Sequence, residues 1–324
     1  MKLSLLDRSR TRVGRPEAEG LTGSVTRAIE AERLGYDRFW VAEHHGVPGI
    51  ASGSPPVLLA AIGARTDRIR IGSGGVMLPN HQPLVVAEQF LMLEALHPGR
   101  IDLGIGRSLG FTAPVRAALR HDVDGPDTFE SDLDELRRLL DGEASVTAHP
   151  VATSPVPISV LATGRGVEVA ARLGLPVVIG GPALWTESGA DALAAYRRDF
   201  RPSKQTSDPY VTISLDVTEA ASDEDARELA LPEAWAMARS RQTGEFPPLE
   251  SIESIRSQPW TTQLRQRIDS SLDHAVAGSP ATVRRALDDL AARTGADELM
   301  ASTSTYDRDD LLASDAALRD LVPE

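Results

Sequence analysis

Cysteine is absent from this chain of 324 residues. The protein therefore has no disulfide, no thiolate ligand for a metal and no cysteine nucleophile. The absence is typical of a reducing compartment, and we expect a cytoplasmic protein. Aromatic residues make up only 4% of the chain, so ring stacking gives few clues to a binding pocket.

Positive charge is also scarce. Lysine and arginine number 34 against 47 aspartate and glutamate residues, and the formal net charge is −13. We therefore expect neither nucleic acid nor anionic lipid as a partner. The apolar start of MKLSLLDRSR is too short for a signal peptide. No apolar run approaches the roughly 20 residues that span a bilayer, so we expect no membrane association.

Strand-like and helix-like patterns alternate along the whole chain. Eight short runs rich in branched or aromatic residues predict strands, and a segment with helical spacing follows each one. Strands that alternate with helices pair in parallel, and eight parallel strands can close a barrel. The predicted strands are Leu3–Asp7, Asp37–Ala42, Ile69–Ser73, Ile101–Ile105, Pro157–Leu161, Pro176–Ile179, Tyr210–Val217 and Glu298–Ser302.

We therefore predict an α/β fold, a single (β/α)8 TIM barrel domain over residues 1–324. Residues 241–271 carry proline, serine and charge without sustained periodicity, which predicts a mobile insertion loop with partial helix before the last strand. An open, doubly wound sheet is the structural alternative. The barrel is favoured because no GxGxxG follows the first strand, where a dinucleotide-binding sheet would have its phosphate loop.

Three titratable side chains, Glu43, His44 and His45, directly follow the second predicted strand. In a closed parallel barrel, the residues after each strand form the mouth of the active site. Histidine exchanges protons near neutral pH, so this position favours a catalytic role over a solvated surface pair. A metal site would need a third ligand at the mouth. We place His81 and His97 in or beyond the next helix and expect no metal.

Glycine and arginine follow the next three strands. Three glycines within Gly72–Gly75 indicate close approach of a planar ligand, an unusual peptide geometry or a plain tight turn. Arg107 ends the fourth strand, and the turn Thr163-Gly164-Arg165 leads into a helix. Free amides at a helix start favour an anion such as phosphate, and Arg107 would complete the charge match. An ordinary helix cap beside a surface arginine is the alternative.

These same segments resemble the luciferase-like monooxygenase family. The resemblance rests on AEHH at 42–45, GSGGVMLPNHQP at 72–83 and LEALHPGRIDLGIGR at 93–107, in that order. Residues 160–181 and 278–302 look similar to the family as well, whereas 110–155 and 241–271 match it least. Bacterial luciferases have a reactive cysteine where Gly106 stands here, so we do not expect light emission.

The resemblance implies roles for the residues nearest the flavin ring. His44 would be the catalytic histidine beside the reactive edge of the flavin. Gly74 and Gly75 match a position where family members have a cis peptide bond beneath the ring. Glu43 would order the loop or line the pocket.

The phosphate end of the cofactor has its own matching residues. Arg107 matches the arginine that holds the flavin phosphate in the family. Thr163, with the amides of Gly164 and Arg165, matches the phosphate-binding loop.

Monooxygenation with reduced FMN and O2 is the activity that the resemblance implies. Oxygen would add at flavin C4a, and the resulting hydroperoxide would transfer one oxygen atom to a small organic substrate. A separate flavin reductase would supply the reduced FMN, because the chain shows no nicotinamide-binding fingerprint. Family members generally form homodimers through helices of the N-terminal half, and we expect a homodimer here.

Three other functions stay open on the sequence. The nearest is hydride transfer with the deazaflavin F420, which some family members use; the cofactor-site pattern favours FMN. A non-catalytic flavin-binding barrel is the second, and the presence of His44 argues against it. A metal-dependent hydrolase on the same barrel is the third.

Overall fold

The structure, a computed structural model, describes residues 1–110, 112–120, 125–162 and 164–322. Among these residues, eight parallel strands close a barrel in the order β1-β10-β7-β6-β5-β4-β3-β2, and β8 pairs with β9 outside it. The strands are β1 (Lys2–Asp7), β2 (Arg38–Val41), β3 (Arg70–Met77), β4 (Ile101–Gly106), β5 (Ile158–Leu161), β6 (Val177–Gly180), β7 (Val211–Leu215), β8 (Val217–Glu219), β9 (Val276–Gly278) and β10 (Glu298–Ala301).

Helices follow the barrel strands and cover them. Local signals set several helix ends: Pro55 occupies the first turn of α2 behind Ser54, and α1 ends at Gly35, whose φ of 83° is left-handed. The helices are α1 (Ala18–Leu34), α2 (Pro55–Gly63), α3 (Pro83–Leu96), α4 (Ala113–Ala118), α5 (Phe129–Leu140), α6 (Arg165–Leu173), α7 (Glu187–Asp199), α8 (Asp223–Thr243), α9 (Ile252–Ser257), α10 (Thr262–Asp273), α11 (Pro280–Thr294) and α12 (Arg308–Leu321).

The prediction of a single (β/α)8 barrel is confirmed, and each of the eight predicted strands overlaps a strand of the barrel. Two boundaries differ in ways that matter for the site. Strand β3 continues through the glycines to Met77 instead of stopping at Ser73, with a register shift against β4 between Ser73 and Val76. Strand β7 ends at Leu215, two residues earlier than predicted, so Asp216 is the residue at its carboxyl end.

The insertion lies before the last barrel strand, as predicted, but it is more helical than the sequence suggested. Residues 241–271 include the end of α8, all of α9 and most of α10. Leu264, Ile268 and Leu272 recur every fourth residue and pack against Trp235 of α8 in one apolar cluster. In the sequence this stripe is obscured by the surrounding polar residues, of which Ser251 and Thr261 cap α9 and α10.

Buried ion pairs close the opposite end of the barrel, at the amino ends of the strands. Arg38 contacts Asp102 at 2.7 Å and Glu298 at 3.1 Å, and both carboxylates are almost fully buried. Arg70 also pairs with Asp102, at 2.6 Å. Polar residues at this end contribute to stability rather than catalysis, so the site belongs at the carboxyl ends of the strands.

Candidate active site

A cavity of about 720 Å³ opens at the carboxyl ends of β3, β4 and β5; we call it the glycine cavity. Its volume is within the usual range for a small-molecule or cofactor site. The predicted residues Glu43, His44, Gly74, Gly75 and Arg107 all line it, so the fold brings them together. The other lining residues are Met77, Pro79, Gly106, Ser108, Leu109, Gly125, Pro126, Asp127, Thr128, Phe129, Val160, Leu161, Ala162 and Gly166.

The Gly74–Gly75 peptide bond in this wall is cis, as the family resemblance implied. A Cβ atom on Gly75 would lie 2.8 Å from the carbonyl oxygen of Gly104 and 3.1 Å from the amide nitrogen of Gly106. Both neighbours are backbone atoms of β4, which cannot move aside as a flexible side chain can. Glycine is therefore required at position 75 by the close approach of β3 to β4.

Gly75→Ala is expected to destabilise the protein by about 2 kcal/mol or more, because the new methyl group would separate two barrel strands. Gly106→Ala is the matched control: its Cβ would meet nothing closer than the carbonyl oxygen of Val76 at 3.8 Å, an ordinary contact. Urea unfolding of both variants measures the difference. Equal stability of the two variants would contradict the account of this wall.

Glu43 is the centre of a hydrogen-bonded cluster that sequence reasoning did not foresee. Its Oε1 lies 2.6 Å from Nε2 of both His45 and His81, and its Oε2 accepts from the amide of Met77 at 3.0 Å. Burial raises the pKa of Glu43, but these hydrogen bonds outweigh it and lower the pKa to about 2. The ionised carboxylate accepts from both imidazoles and so fastens the loop after β2 to the end of β3.

The position of His81 corrects one step of the metal argument. We placed it in or beyond the helix that follows β3, but it precedes α3 and lies at the mouth, because a short 3₁₀ turn at Leu78–Asn80 returns the chain there. Among the described residues, Glu43, His45 and His81 form one group that could hold a metal ion. The expectation of no metal was thus reached without this third candidate ligand, and it stays a prediction.

His44 is half-buried beside the Glu43 cluster and is held by its backbone, whose amide donates to the Ser52 carbonyl at 2.9 Å. Burial, together with the positive charges of Arg8 and Arg10, lowers the pKa of His44 to about 4. At neutral pH its imidazole is therefore uncharged, with one nitrogen that donates and one that accepts.

Stability should fall at mildly acidic pH because of His44. The pKa of His44 is about 4 in the folded protein and ~6.5 in the unfolded chain, so the unfolded chain binds the proton first as the pH falls. The free energy of unfolding is therefore highest above pH ~6.5 and decreases as the pH falls toward 4. We expect a loss of about 2 kcal/mol between pH 7 and pH 5 from this group. Urea unfolding of His44→Gln should show a smaller acid loss than the wild type. His149→Gln, at an exposed position, should keep the wild-type slope.

A second cavity of about 820 Å³ lies beside the first, between the barrel mouth and the helices α8 and α10; we call it the helix cavity. It has apolar walls that include Leu6, Leu161, Val178 and Phe246. His44 is the one ionisable side chain that lines both cavities, within the ranges that the structure describes.

An ionic network lines one side of the helix cavity. Arg8 donates to Asp216 at 2.8 Å, to Glu233 at 2.9 Å and to Ser302 at 2.9 Å. The other oxygen of Glu233 accepts from Nε of the buried Arg10, at 2.9 Å. Two arginines therefore balance two carboxylates, and the network ties α8 to the end of β1.

The residues predicted to bind the flavin phosphate lie at the rim of the barrel mouth. Arg107, Arg165 and Gly166 line a small cavity of about 210 Å³, the rim cavity, so the fold brings Arg107 to the start of α6. Gly164, with a φ of 61°, precedes α6 and provides no side-chain cap for its amides. Thr163 lies outside the described residues. Arg107 donates to Asp127, and both side chains are about half exposed.

Sequence reasoning missed the carboxylates of the helix cavity. Asp216 was not considered as a site residue, because the predicted strand continued to Val217. In the structure β7 ends at Leu215, and Asp216 directly follows it. Glu233 lies in the middle of α8, and no strand-end signal points to it. Arg8 was near the end of the first predicted strand, but its chemistry depends on partners more than 200 residues away.

The chain and its barrel match a known family. The profile of the luciferase-like monooxygenase family matches residues 1–298, and the chain belongs to this family. A luciferase-like monooxygenase of Escherichia coli K12 is 35% identical over 328 residues, which cover 99% of this chain and 97% of that protein. The crystal structure of apo-MsnO8 is similar as well, with a TM-score of 0.88 and 34% identity. The match covers 99% of this chain and 97% of the apo-MsnO8 chain.

Other similar proteins bear names that state a reaction or a cofactor. An N-acetyl-S-alkylcysteine monooxygenase of Bacillus subtilis is 42% identical over 158 residues, 48% of this chain and 47% of that protein. The oxygenating constituent of 3,6-diketocamphane monooxygenase from Pseudomonas putida, in complex with FMN, has a TM-score of 0.75 at 17% identity; 99% of this chain and 98% of that one are covered. An F420-dependent secondary alcohol dehydrogenase has a TM-score of 0.71 at 14% identity, and the match covers 99% of this chain and 98% of that one. At these identities the last two show the shared fold alone.

Among the described residues, no helix combines the length and the apolar character needed to cross a membrane.

Proposed function

We propose that this protein is a flavin-dependent monooxygenase that uses reduced FMN and O2 to oxygenate a small organic substrate. The observation that carries the proposal is the place of His44, which lines both the glycine cavity and the helix cavity. A two-cavity site suits a reaction between a bound cofactor and a separate organic molecule, with the proton-transferring group at the boundary between them.

The residues of the glycine cavity fit FMN. Gly74 and Gly75 leave a wall without side chains against which a flat ring can lie. Arg107 and the start of α6 meet at the rim cavity, where a guanidinium and helix amides suit a phosphate. When bound, reduced FMN would supply the two electrons that activate O2, from which one oxygen atom reaches the substrate and the other leaves as water.

His44 transfers a proton at the boundary between the two cavities. Its low pKa keeps the imidazole neutral at physiological pH, so it can accept a proton on one nitrogen and donate one from the other. Glu43, through His45 and His81, holds the loop that carries His44 against the end of β3. We assign Glu43 the role of a positioning residue.

We further propose that residues 241–271, several of which line the helix cavity, exclude water from the site when the substrate is bound. Ser270 and Ser271 of this segment, and His274 just after it, line the cavity. A segment that moves over the site would account for the insertion of 241–271 into an otherwise regular barrel.

Two partners belong to the proposal: a separate cytoplasmic flavin reductase that delivers reduced FMN, and a second copy of this chain. The homodimer is supported by an exposed apolar patch on α2 and α3, where Val57, Val85, Met92 and Leu96 are 72%, 48%, 56% and 64% exposed. A patch of this kind on neighbouring helices is a common subunit interface. The molar mass in solution tests it, because Met92→Glu should produce monomers.

The test of the proposed function is a titration of the purified protein with reduced FMN and reduced F420 under anaerobic conditions, followed by O2 and a panel of thioethers, ketones and alkenes. We expect tight binding of reduced FMN and O2-dependent oxygen insertion into one substrate class. Preference for F420 with hydride transfer and no oxygen insertion would favour the deazaflavin alternative.

Two further outcomes would also overturn the proposal. Tight FMN binding without any product would indicate a non-catalytic flavin-binding barrel. A stoichiometric divalent metal at Glu43, His45 and His81, together with hydrolysis of esters or amides, would indicate the metal-dependent hydrolase. Elemental analysis of the same preparation separates these outcomes.

A further inference from the structure

The helix cavity has a distinct charge pattern on the face of α8 that borders it. Glu233, Met237 and Arg241 are spaced by four residues and line the cavity together, so one face of α8 forms its wall. Glu233 lies at the inner end and is engaged by Arg8 and Arg10. Arg241 lies at the outer end, two residues before the helix stops at Thr243.

The inner charges compensate one another. Arg8 and Arg10 pair with Asp216 and Glu233 at 2.8 to 2.9 Å, which leaves no net charge in this part of the wall. Arg241 differs, because no carboxylate of the described residues pairs with it and its side chain is exposed. The cavity therefore has apolar walls, a neutral ionic network and a positive charge at its outer end.

Hydroxyl groups and a histidine accompany Arg241 in the same lining. Ser270, Ser271 and His274 come from the end of α10, and Nδ1 of His274 donates to the Ser270 carbonyl at 2.5 Å. This hydrogen bond orders the imidazole on that wall. Hydroxyl and guanidinium donors near one another are suited to a carboxylate, which accepts several hydrogen bonds.

We propose that the helix cavity binds an organic acid whose carboxylate pairs with Arg241 and whose apolar part extends along Leu161 and Val178 toward His44. This substrate class rests on the proposed function, because that function makes the helix cavity the place of the oxygenated molecule. Arg241 then determines specificity: it selects acids and orients them with the end remote from the carboxylate toward the boundary of the glycine cavity.

The experiment compares octanoate with octanamide, which has the same chain length and no charge. Isothermal calorimetry on the full chain, with and without FMN, measures binding directly and needs no turnover. We expect octanoate to bind about tenfold more tightly than octanamide, as a charge-assisted hydrogen bond at a half-open site allows. Arg241→Gln should remove this preference, and Arg241→Lys should retain part of it.

Arg227→Gln is the matched control, since it removes the same charge from an exposed position in the first part of α8, outside the cavity lining. It should leave the preference for octanoate unchanged. Equal binding of the two probes by the wild type, no binding of octanoate, or an equal effect of both glutamine variants would each overturn the proposal. A failure of the proposed function would appear elsewhere, as absent FMN binding or absent oxygen insertion.

Discussion

His44→Ala is expected to lower turnover by about 10²- to 10⁴-fold, the range over which a positioned general acid or base contributes. The side chain lies at the boundary of the two cavities and is neutral at physiological pH, so its loss removes the proton donor and acceptor nearest to both. FMN affinity should change little, because the proposed phosphate and ring contacts come from the rim cavity and the glycine wall. O2-dependent product formation and an FMN titration measure the two quantities separately.

A chemical role for His44 can be distinguished from a structural one. Added imidazole should restore part of the activity of His44→Ala, because the vacated space opens to two cavities. The wild-type kcat/KM should decline as the pH falls toward 4, and His44→Ala should not show this decline. His149→Ala, at an exposed position, is the control. Unchanged turnover in His44→Ala would remove His44 from the mechanism.

Arg107→Met is expected to weaken FMN binding by about 10- to 100-fold, since a charge-assisted hydrogen bond to phosphate is worth roughly 1.5–3 kcal/mol. Riboflavin has the same ring without the phosphate, so its affinity should be unaffected. Asp127→Asn should strengthen FMN binding, because the Asp127 carboxylate pairs with Arg107 and would repel a phosphate beside it. Fluorescence titration of both flavins against each variant measures these effects.

The control for this pair is Arg138→Met, on the exposed side of α5 and away from the rim cavity. It should bind both flavins as the wild type does. An Arg107→Met protein that binds FMN normally would contradict the assignment of the phosphate to this rim. A variant that loses riboflavin as strongly as FMN would do the same, since the defect would then lie in the ring site.

The barrel could be predicted from the sequence because its signals are local. Each strand is a short apolar run, and proline or glycine begins or ends the helices between them, as at Pro55 and Gly35. The insertion was predicted less well because α9 is only six residues long and α10 is rich in polar residues. Helices of this kind depend on packing against α8, which no local pattern reveals.

The residues of the candidate site also fall into those that the sequence could predict and those that it could not. Residues that directly follow a strand, such as His44 and Arg107, could be placed at the mouth because the topology of a parallel barrel puts them there. The pairing of His81 with Glu43, and of Glu233 with Arg8, joins residues 38 and 225 positions apart. Such contacts follow from the closed barrel and the path of its loops, so spacing along the chain could not indicate them.

A crystal structure of the protein soaked with FMN would show directly where the ring and the phosphate bind. We expect the isoalloxazine ring against Gly74 and Gly75, with one edge beside His44, and the phosphate between Arg107 and the first amides of α6. Asp127 should then have moved away from Arg107. A ring bound in the helix cavity, or a phosphate held away from Arg107, would show that the glycine cavity is not the flavin site.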